Sequence, residues 1–126
     1  MQHQEHQEEN CLFCKIAKGT IPAAILYRDE YVVAFRDIAP VLPQHVLIIP
    51  VRHIVSVGTL GPDDAVVAGQ IMLAASTLAR ELGIAETGFR LVFNSGLAAG
   101  QTVFHLHAHL LGGQTMGWPP FPPVTR

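Results

Sequence analysis

The spacing of apolar residues along the chain predicts one long helix and a set of short strands. Between residues 62 and 82 apolar side chains recur at helical spacing, and Gly83 is a typical helix stop. A shorter segment at 11–17 predicts an N-terminal helix. Five apolar runs rich in β-branched and aromatic residues predict strands over 24–28, 31–35, 45–50, 89–93 and 103–111. One long helix among neighbouring strands favours an α+β fold with a mostly antiparallel sheet.

The two ends of the chain differ from this periodic region. Residues 1–10 are mostly Gln, His and Glu, so we expect a flexible N-terminal tail. Residues 11–126 are predicted to form a single domain, which suits a chain of 126 residues. Prolines within 118–123 exclude a helix or a central strand, so the domain should end in an extended tail from about residue 114.

The composition limits the classes of partner. Hydrophobic residues make up 49% of the chain and charged residues 14%, which predicts that a partner chain covers some apolar surface. A net charge of -2 gives no basic excess for binding a nucleic acid or an anionic membrane. The polar, acidic N-terminus is unlike a secretory signal, and no apolar run reaches the roughly 18 residues of a membrane span. We therefore expect a cytoplasmic protein.

Three alternate histidines are the strongest chemical pattern in the sequence. On a strand, His105, His107 and His109 would share one face, because successive side chains alternate. The outer two would lie about 13 Å apart, too far for one metal ion with bonds of about 2 Å. Mixed roles are therefore favoured, and neutral imidazole is a good nucleophile toward phosphorus near pH 7. A polar edge strand is the bland alternative, which Ser or Thr would serve equally well.

The loop before the histidines adds groups suited to an anion. Asn94, Gly100 and Thr102 offer side-chain and backbone donors, and glycine allows a backbone to approach a phosphate closely. The glycine-lysine motif of P-loop ATPases is missing, which argues against that class. Taken alone, Asn94 is as well explained by a turn cap, and Asp37 by a turn-forming carboxylate.

The combined pattern resembles the histidine-triad (HIT) superfamily of nucleotide hydrolases and transferases. H-x-H-x-H followed by two apolar residues is similar to the signature of that family, and the similarity extends over residues 11–120. It includes Ile21-Pro22-Ala23 and the segments 35–40, 45–53 and 100–104. The glycine pair at 112–113 and the Trp-Pro-Pro at 118–120 resemble the Hint-like branch. The resemblance implies the HIT fold, with a sheet of about five strands.

The resemblance also implies a role for each site residue. His107 would attack phosphorus and form a nucleotidyl-histidine intermediate, His109 would contact the phosphate, and His105 would orient the site or bind metal. His45 would support the nucleophile from behind. The remaining roles would be hydrogen bonds to phosphate or leaving group (Asn94, Thr102, Gly100), ribose binding (Asp37) and a purine pocket (Leu12, Phe13, Ile16, Phe35, Ile38).

The implied activity is hydrolysis of purine nucleoside 5′-phosphoramidates by a homodimer. Helix 62–82 and the Trp-Pro-Pro segment would form the interface. Hydrolysis of dinucleoside polyphosphates and a non-catalytic nucleotide-binding scaffold are the alternatives. The sequence departs from the family pattern at Thr102, where serine is usual, and at Leu97, Ala98 and Gly117. We expect these departures to affect the choice of substrate and not the reaction.

Cys11 and Cys14 have the pair spacing of a zinc knuckle. A zinc site needs two further ligands, for which His53 and His105 are the candidates, and some bacterial HIT proteins resemble this arrangement. Such a zinc would be structural and would hold the N-terminal segment on the sheet. A thioredoxin-like redox pair is less favoured, because no strand precedes the motif in a βαβ pattern. Two reduced, buried thiols are the remaining alternative.

Overall fold

A computed structural model describes residues 8–121. Most of the predicted N-terminal tail, residues 1–7, lies outside the described residues, and residues 8–10 form one 3-10 turn. The elements in chain order are helix α1 (Leu12–Lys18), strands β1 (Ile25–Arg28), β2 (Val32–Arg36) and β3 (Gln44–Pro50), helix α2 (Ala65–Glu81), and strands β4 (Phe89–Phe93) and β5 (Ala108–Gly112). The two helices and five strands confirm the predicted α+β fold.

The five strands form one sheet in the order β1-β2-β3-β5-β4, with every neighbouring pair antiparallel. The turn between β1 and β2 is built by Asp29, whose carboxylate accepts the backbone N–H groups of Tyr31 and Val32 at 2.7 and 2.8 Å. β3 lies at the centre of the sheet and is almost entirely buried, as its β-branched sequence predicts.

The sheet separates two apolar clusters. Because side chains alternate along a strand, Val46 and Ile48 of β3 face α2, whereas Leu47 and Ile49 face α1. α2 covers the first face with Val67, Ile71, Ala74, Ala75, Leu78 and Ala79. The shorter α1 covers only part of the second face, with Phe13, Cys14, Ile16 and Ala17. The remainder of that second face is therefore free to form a site.

The long helix differs from the sequence prediction in two respects. Its first predicted turn, Pro62–Asp64, is a 3-10 turn in which Asp64 accepts the N–H of Gly61 at 2.9 Å, so α2 proper begins at Ala65. Val66 and Leu73, two residues of the apolar pattern, are 60% and 63% exposed. Among the described helices, none combines the length and the apolarity needed to cross a bilayer.

The predicted last strand is wrong in its first half. β5 begins at Ala108, not at residue 103, so His105 and His107 precede the strand. Ile48 of β3 pairs with Ala108, and two positions further along the ladder Leu106 would oppose Pro50. Proline has no N–H to donate to such a ladder, and the N–H of Leu106 instead donates to the carbonyl of Ile54 at 2.6 Å. The alternation of side chains still holds, because Leu106, Ala108 and Leu110 all face α2.

Candidate functional site

His107 is held by the backbone of its own segment. The side chain is buried, and its Nδ1 lies 2.8 Å from the carbonyl oxygen of His105. A carbonyl only accepts, so Nδ1 must carry the proton of the neutral ring. The lone pair is then on Nε2, and His107 lines the cavity on the α1 face of the sheet. This is the tautomer that a histidine nucleophile requires.

His109, on β5, is the second histidine of this cavity. Burial is the main cause that lowers its pKa to about 4, with the neighbouring rings of His107 and His45 adding to the effect and Asp37 opposing it. His109 is therefore neutral at pH 7. Its ring centroid lies 5.0 Å from that of His107, which brings the two imidazoles to one end of the cavity.

His45 fixes the tautomer of His109. The N–H of Val41 donates to Nδ1 of His45 at 3.1 Å, so the proton of the His45 ring is on Nε2. That Nε2–H lies 2.9 Å from Nδ1 of His109, which leaves the proton of His109 on its Nε2. Burial lowers the pKa of His45, and Asp37 partly offsets this effect. His45 was expected to support His107 indirectly, and its hydrogen bond is to His109, whose ring lies beside that of His107.

The cavity between α1 and the sheet has a volume of about 340 Å³. All five residues predicted to form a purine pocket line it, although Ile38 is fully exposed and stands at the rim. Asp37 and Thr102 line it as well, whereas Asn94, Gly100 and His45 do not belong to its lining as described. Lining residues that sequence analysis did not assign to the site are Ile21, Pro22, Ala23, Arg36, Leu47 and Val103.

Asp37 was expected to bind ribose, and each oxygen of its carboxylate already has a contact within the protein. Its Oδ1 accepts the N–H of Ala39 at 2.8 Å, so Asp37 also forms the turn that was the alternative explanation for this residue. Its Oδ2 lies 3.4 Å from Nε2 of His45. The carboxylate is therefore fixed in place at the cavity wall, and each of its oxygens can still accept a second hydrogen bond.

A second cluster lies behind the histidine segment. Cys11, Cys14, His53 and His105 bring four potential ligand atoms within 4.8 Å of one another. Nδ1 of His105 is 3.2 Å from the sulfur of Cys11 and 3.4 Å from that of Cys14, and Nδ1 of His53 is 3.2 Å from the sulfur of Cys14. Two sulfurs and two imidazole nitrogens are the donor set that zinc prefers.

The orientation of His105 suits a metal ligand. Its ring is fully buried, and Nε2 donates to the carbonyl of Pro50 at 2.8 Å, which leaves the lone pair of Nδ1 directed at the cysteines. A far nitrogen that donates to a backbone carbonyl is the usual support of a metal-binding histidine. Burial lowers the pKa of His105 to about 4. In the part of the chain that the structure describes, the far nitrogen of His53 is buried without a hydrogen-bond partner.

Asp37, His45 and His109 also bring three potential ligand atoms within 4.8 Å of one another. A metal ion there would have to bind Nε2 of His45, the nitrogen that faces the other two residues. The backbone N–H of Val41 occupies the lone pair of the opposite nitrogen, so the proton lies on Nε2. In the group of Asp37, His45 and His109, the proton of His45 therefore faces His109, and His45 offers no lone pair there to a metal.

Comparison with known proteins identifies the family. The sequence profile described as the HIT domain matches residues 18–116. The chain belongs to the histidine-triad (HIT) family. This HIT protein is 46% identical over 112 residues to an uncharacterised HIT-like protein of Synechocystis, covering 89% of this chain and 97% of that protein. It is 42% identical over 109 residues to the purine nucleoside phosphoramidase of Escherichia coli, covering 86% and 92% of the two chains.

Solved structures agree with the sequence comparison. A HIT family hydrolase from Legionella pneumophila superposes with a TM-score of 0.87 at 49% identity, covering 89% of this chain and 100% of that one. The HIT fold predicted from the sequence is therefore confirmed. Together with the phosphoramidase relative, this similarity supports hydrolase activity for the present HIT protein.

One residue that shapes the HIT site was not assigned a role from the sequence. Gln101 is buried, and its amide nitrogen donates to the carbonyls of Val55 and Val103 at 2.8 and 3.1 Å. Its amide oxygen accepts the N–H of Gly96 at 2.9 Å. Gln101 thus fixes the loop that precedes the triad. A Gln between a glycine loop and a histidine segment was the available signal, since buried amides need several partners.

Proposed function

We propose that this HIT protein hydrolyses purine nucleoside 5′-phosphoramidates through a covalent intermediate on His107. The observation that carries the proposal is the 2.8 Å hydrogen bond from Nδ1 of His107 to the carbonyl of His105, which leaves an unprotonated nitrogen at the cavity. The phosphoramidate class is supported by the 42% identical Escherichia coli relative, which bears that activity in its name.

The reaction would have two steps. Nε2 of His107 attacks the α-phosphorus, a P–N bond forms to the ring, and the P–N bond to the leaving amine breaks as a proton from solvent joins the amine nitrogen; the second step returns one proton to solvent. Water then attacks the same phosphorus and releases the nucleoside monophosphate and the free histidine. One water is consumed overall, with its oxygen on phosphorus and one of its protons on the amine.

His109 would act on the phosphoryl oxygens as a neutral donor. Its Nδ1 accepts from His45, so its Nε2–H is free to donate toward the cavity. A donor fixed in position before the reaction stabilises developing negative charge without reorganisation. The apolar wall of Leu12, Phe13 and Phe35 would take the purine, with Asp37 at the ribose and Thr102 near the phosphate or leaving group.

The first test is turnover of a fluorogenic adenosine 5′-phosphoramidate by the wild type and by His107→Asn. The Asn side chain can still donate to the His105 carbonyl but has no nucleophilic nitrogen, so we expect turnover to fall by about 10³-fold or more. Binding of AMP should be retained, which serves as the control for folding. Unchanged turnover in His107→Asn would contradict the proposal.

The same assay separates the two alternative functions. Turnover of a dinucleoside polyphosphate well above that of the phosphoramidate would replace the proposed substrate class. Binding of AMP without turnover of either compound would favour a nucleotide-binding scaffold.

We also propose that the Cys11, Cys14, His53 and His105 cluster binds one structural zinc ion. Two observations support this assignment: both sulfurs are buried, and the lone pair of His105 Nδ1 faces them. The ion would supply four bonds that hold α1 to the segments after β3 and before β5, and it would take no part in the chemical steps. Metal analysis of protein purified without chelator should give one zinc per chain. If protein purified in this way is folded but holds no metal, the proposal is contradicted.

A homodimer is the last element of the proposal. β4 stands at the edge of the sheet, and α2 exposes Val66, Met72 and Leu73. Trp118 of the C-terminal segment is 82% exposed. An unpaired strand edge beside exposed apolar side chains is typical of a surface that a second copy covers. Light scattering should give twice the chain mass, and a monomer would contradict this proposal. The cytoplasmic location stays a prediction from the sequence.

A further inference from the structure

Residue 105 connects two groups of side chains. Its ring belongs to the cysteine–histidine cluster (Cys11, Cys14, His53 and His105), and its backbone carbonyl contacts His107 at the cavity. Its imidazole Nδ1 lies 3.2 Å from the sulfur of Cys11, while its backbone carbonyl accepts the Nδ1–H of His107 at 2.8 Å. The ring is fully buried and its other nitrogen is bonded to Pro50. A metal bound at this nitrogen would therefore restrain the residue whose carbonyl orients the ring of His107.

Helix α1 makes the same connection by a second route. Cys11 caps the helix and Cys14 lies in its first turn, whereas Leu12, Phe13 and Ile16 of the same helix line the nucleotide cavity. The ring of Phe13 packs edge-on against that of His107, with centroids 5.1 Å apart. One helix thus carries half of the metal ligands and one wall of the cavity.

The position of this helix depends on what it packs against. α1 has seven residues, and helices this short are not stable in isolation. It is held by apolar contacts of Phe13 and Ile16 with the sheet face and by the contacts of its two sulfurs with His53 and His105. Metal–ligand bonds at the sulfurs would replace these weak contacts with fixed ones. The cavity wall is therefore better ordered when metal is bound.

We propose that metal at the cysteine–histidine cluster and nucleotide in the cavity bind cooperatively, with α1 and residue 105 as the connection. Metal binding pre-orders the wall formed by Phe13 and the carbonyl behind His107, so the nucleotide loses less free energy in ordering them. This inference rests on the proposed nucleotide site and zinc site. Coupling between two sites is typically 5- to 150-fold in affinity, and we expect about tenfold here.

The test measures binding and not turnover. The dissociation constant of AMP is determined by titration calorimetry for the chelator-treated protein and for the same protein loaded with one zinc per chain. AMP should bind about tenfold more weakly to the metal-free protein. In the reciprocal experiment, a competing chelator reports the zinc affinity with and without saturating AMP, and thermodynamic linkage requires the same factor.

Variants localise the coupling. His53→Asn removes a ligand that lies outside α1, outside the triad and outside the cavity lining, so AMP affinity should match that of the metal-free wild type even when zinc is present. The same substitution at His3, in the N-terminal segment, is the matched control and should change neither affinity. Phe13→Leu keeps all four ligands, so zinc should still bind while the coupling factor shrinks toward one.

Hydrogen exchange supplies a readout that does not depend on any variant. Backbone amides of residues 12–18 should exchange more slowly with zinc bound, and more slowly again with AMP added. Equal AMP affinity with and without zinc would overturn the coupling and leave the proposed hydrolase function standing. A protein that binds zinc but not AMP in any form would overturn both, and a protein that does not bind zinc would overturn the coupling alone.

Discussion

His105, beside the cysteines, and His45, beside the cavity, present opposite groups to their neighbours: His105 presents a lone pair and His45 presents a proton. In the cysteine–histidine cluster, the backbone carbonyl of Pro50 accepts a hydrogen bond from the Nε2–H of His105, which leaves the lone pair of Nδ1 facing the sulfurs. In the cavity cluster, a backbone N–H from Val41 stands behind His45, occupies the lone pair and leaves a proton facing His109. The backbone group behind the ring therefore decides whether a histidine presents a lone pair or a proton to its neighbours.

Burial makes this difference effective. The pKa values of His105 and His109 are both lowered to about 4, chiefly because the charged ring would lose its hydration. Neither ring is charged near neutral pH, so each presents one lone pair and one proton at fixed positions. The two clusters therefore differ in which ring atom faces the neighbouring groups and not in net charge.

After the loss expected for His107→Asn, the largest effect is expected from variants that each keep the role of one nitrogen of His109. His109→Asn places an acceptor near the position of Nδ1, where it can receive the His45 proton, but loses the donor that faces the cavity. Loss of one such donor costs about 10²–10³-fold in kcat. His109→Gln places its amide near the other nitrogen and should lose less. Phosphoramidate turnover by the two variants checks this order, and zinc content should be unchanged in both.

Removal of metal should affect the other cluster by a smaller free energy. A ligand present at about 100 times its dissociation constant stabilises the folded state by roughly 2.7 kcal/mol. Chelator treatment should therefore lower the midpoint of thermal unfolding of the wild type. Cys14→Ser should unfold at the temperature of the chelated wild type and show no response to zinc. A wild type whose unfolding is indifferent to chelator would show that the cluster is a pair of buried thiols beside two histidines.

An effect of intermediate size is expected at His45, which donates a hydrogen bond to His109. His45→Ala leaves Nδ1 of His109 without its donor, so the ring can adopt the wrong tautomer. We expect a decrease in kcat of about tenfold, or about 1.4 kcal/mol. His45→Gln restores an N–H at the reach of Nε2 and should recover part of the loss. If His45→Ala and His45→Gln are equally active, His45 contributes packing only.

The sequence predicted most of the fold because its signals are local. The β-branched run of β3 depends on neighbouring residues alone, and the strand is found where it was predicted. The start of β5 was missed because it depends on Pro50, a residue on another strand that cannot donate to the ladder. The alternation of His107 and His109 with Leu106, Ala108 and Leu110 was still correct, since the segment stays extended without ladder bonds.

The sequence brought many of the clustered side chains together but did not predict the hydrogen bonds that connect them. His53 is 39 residues from Cys14 in sequence, and family resemblance, not spacing, brought the two together before the structure did. The hydrogen bond from His45 to His109 was not predicted, because the ring that His45 meets is set by the register of β3 against β5, where His45 pairs with Leu111. The tautomers depend on the carbonyl of Pro50 and the N–H of Val41, and no side-chain pattern encodes either.

The smallest expected effect concerns the pH dependence of stability in the chelated protein. The pKa of His109 is about 4 in the folded state, against about 6.5 for an unperturbed histidine. The unfolded state therefore binds more protons between these values, so stability rises with pH in that window. The contribution of His109 is fully present above pH 6.5 and is lost as pH falls toward 4. Between pH 7 and pH 6 it amounts to at most about 0.7 kcal/mol, and less because the side chain is only half-buried.

Urea unfolding of the wild type and of His109→Asn at pH 7 and pH 6 isolates this contribution. Both proteins lose stability between the two pH values, because His45 and His105 also have lowered pKa values. The wild type should lose more than His109→Asn by a few tenths of a kcal/mol, since only the wild type must protonate residue 109 on unfolding. If the variant instead loses more than the wild type, His109 gains a proton more readily in the folded state. It would then enter the reaction as a charged donor, and the two clusters would differ in charge as well as in the ring atom that faces the neighbouring groups.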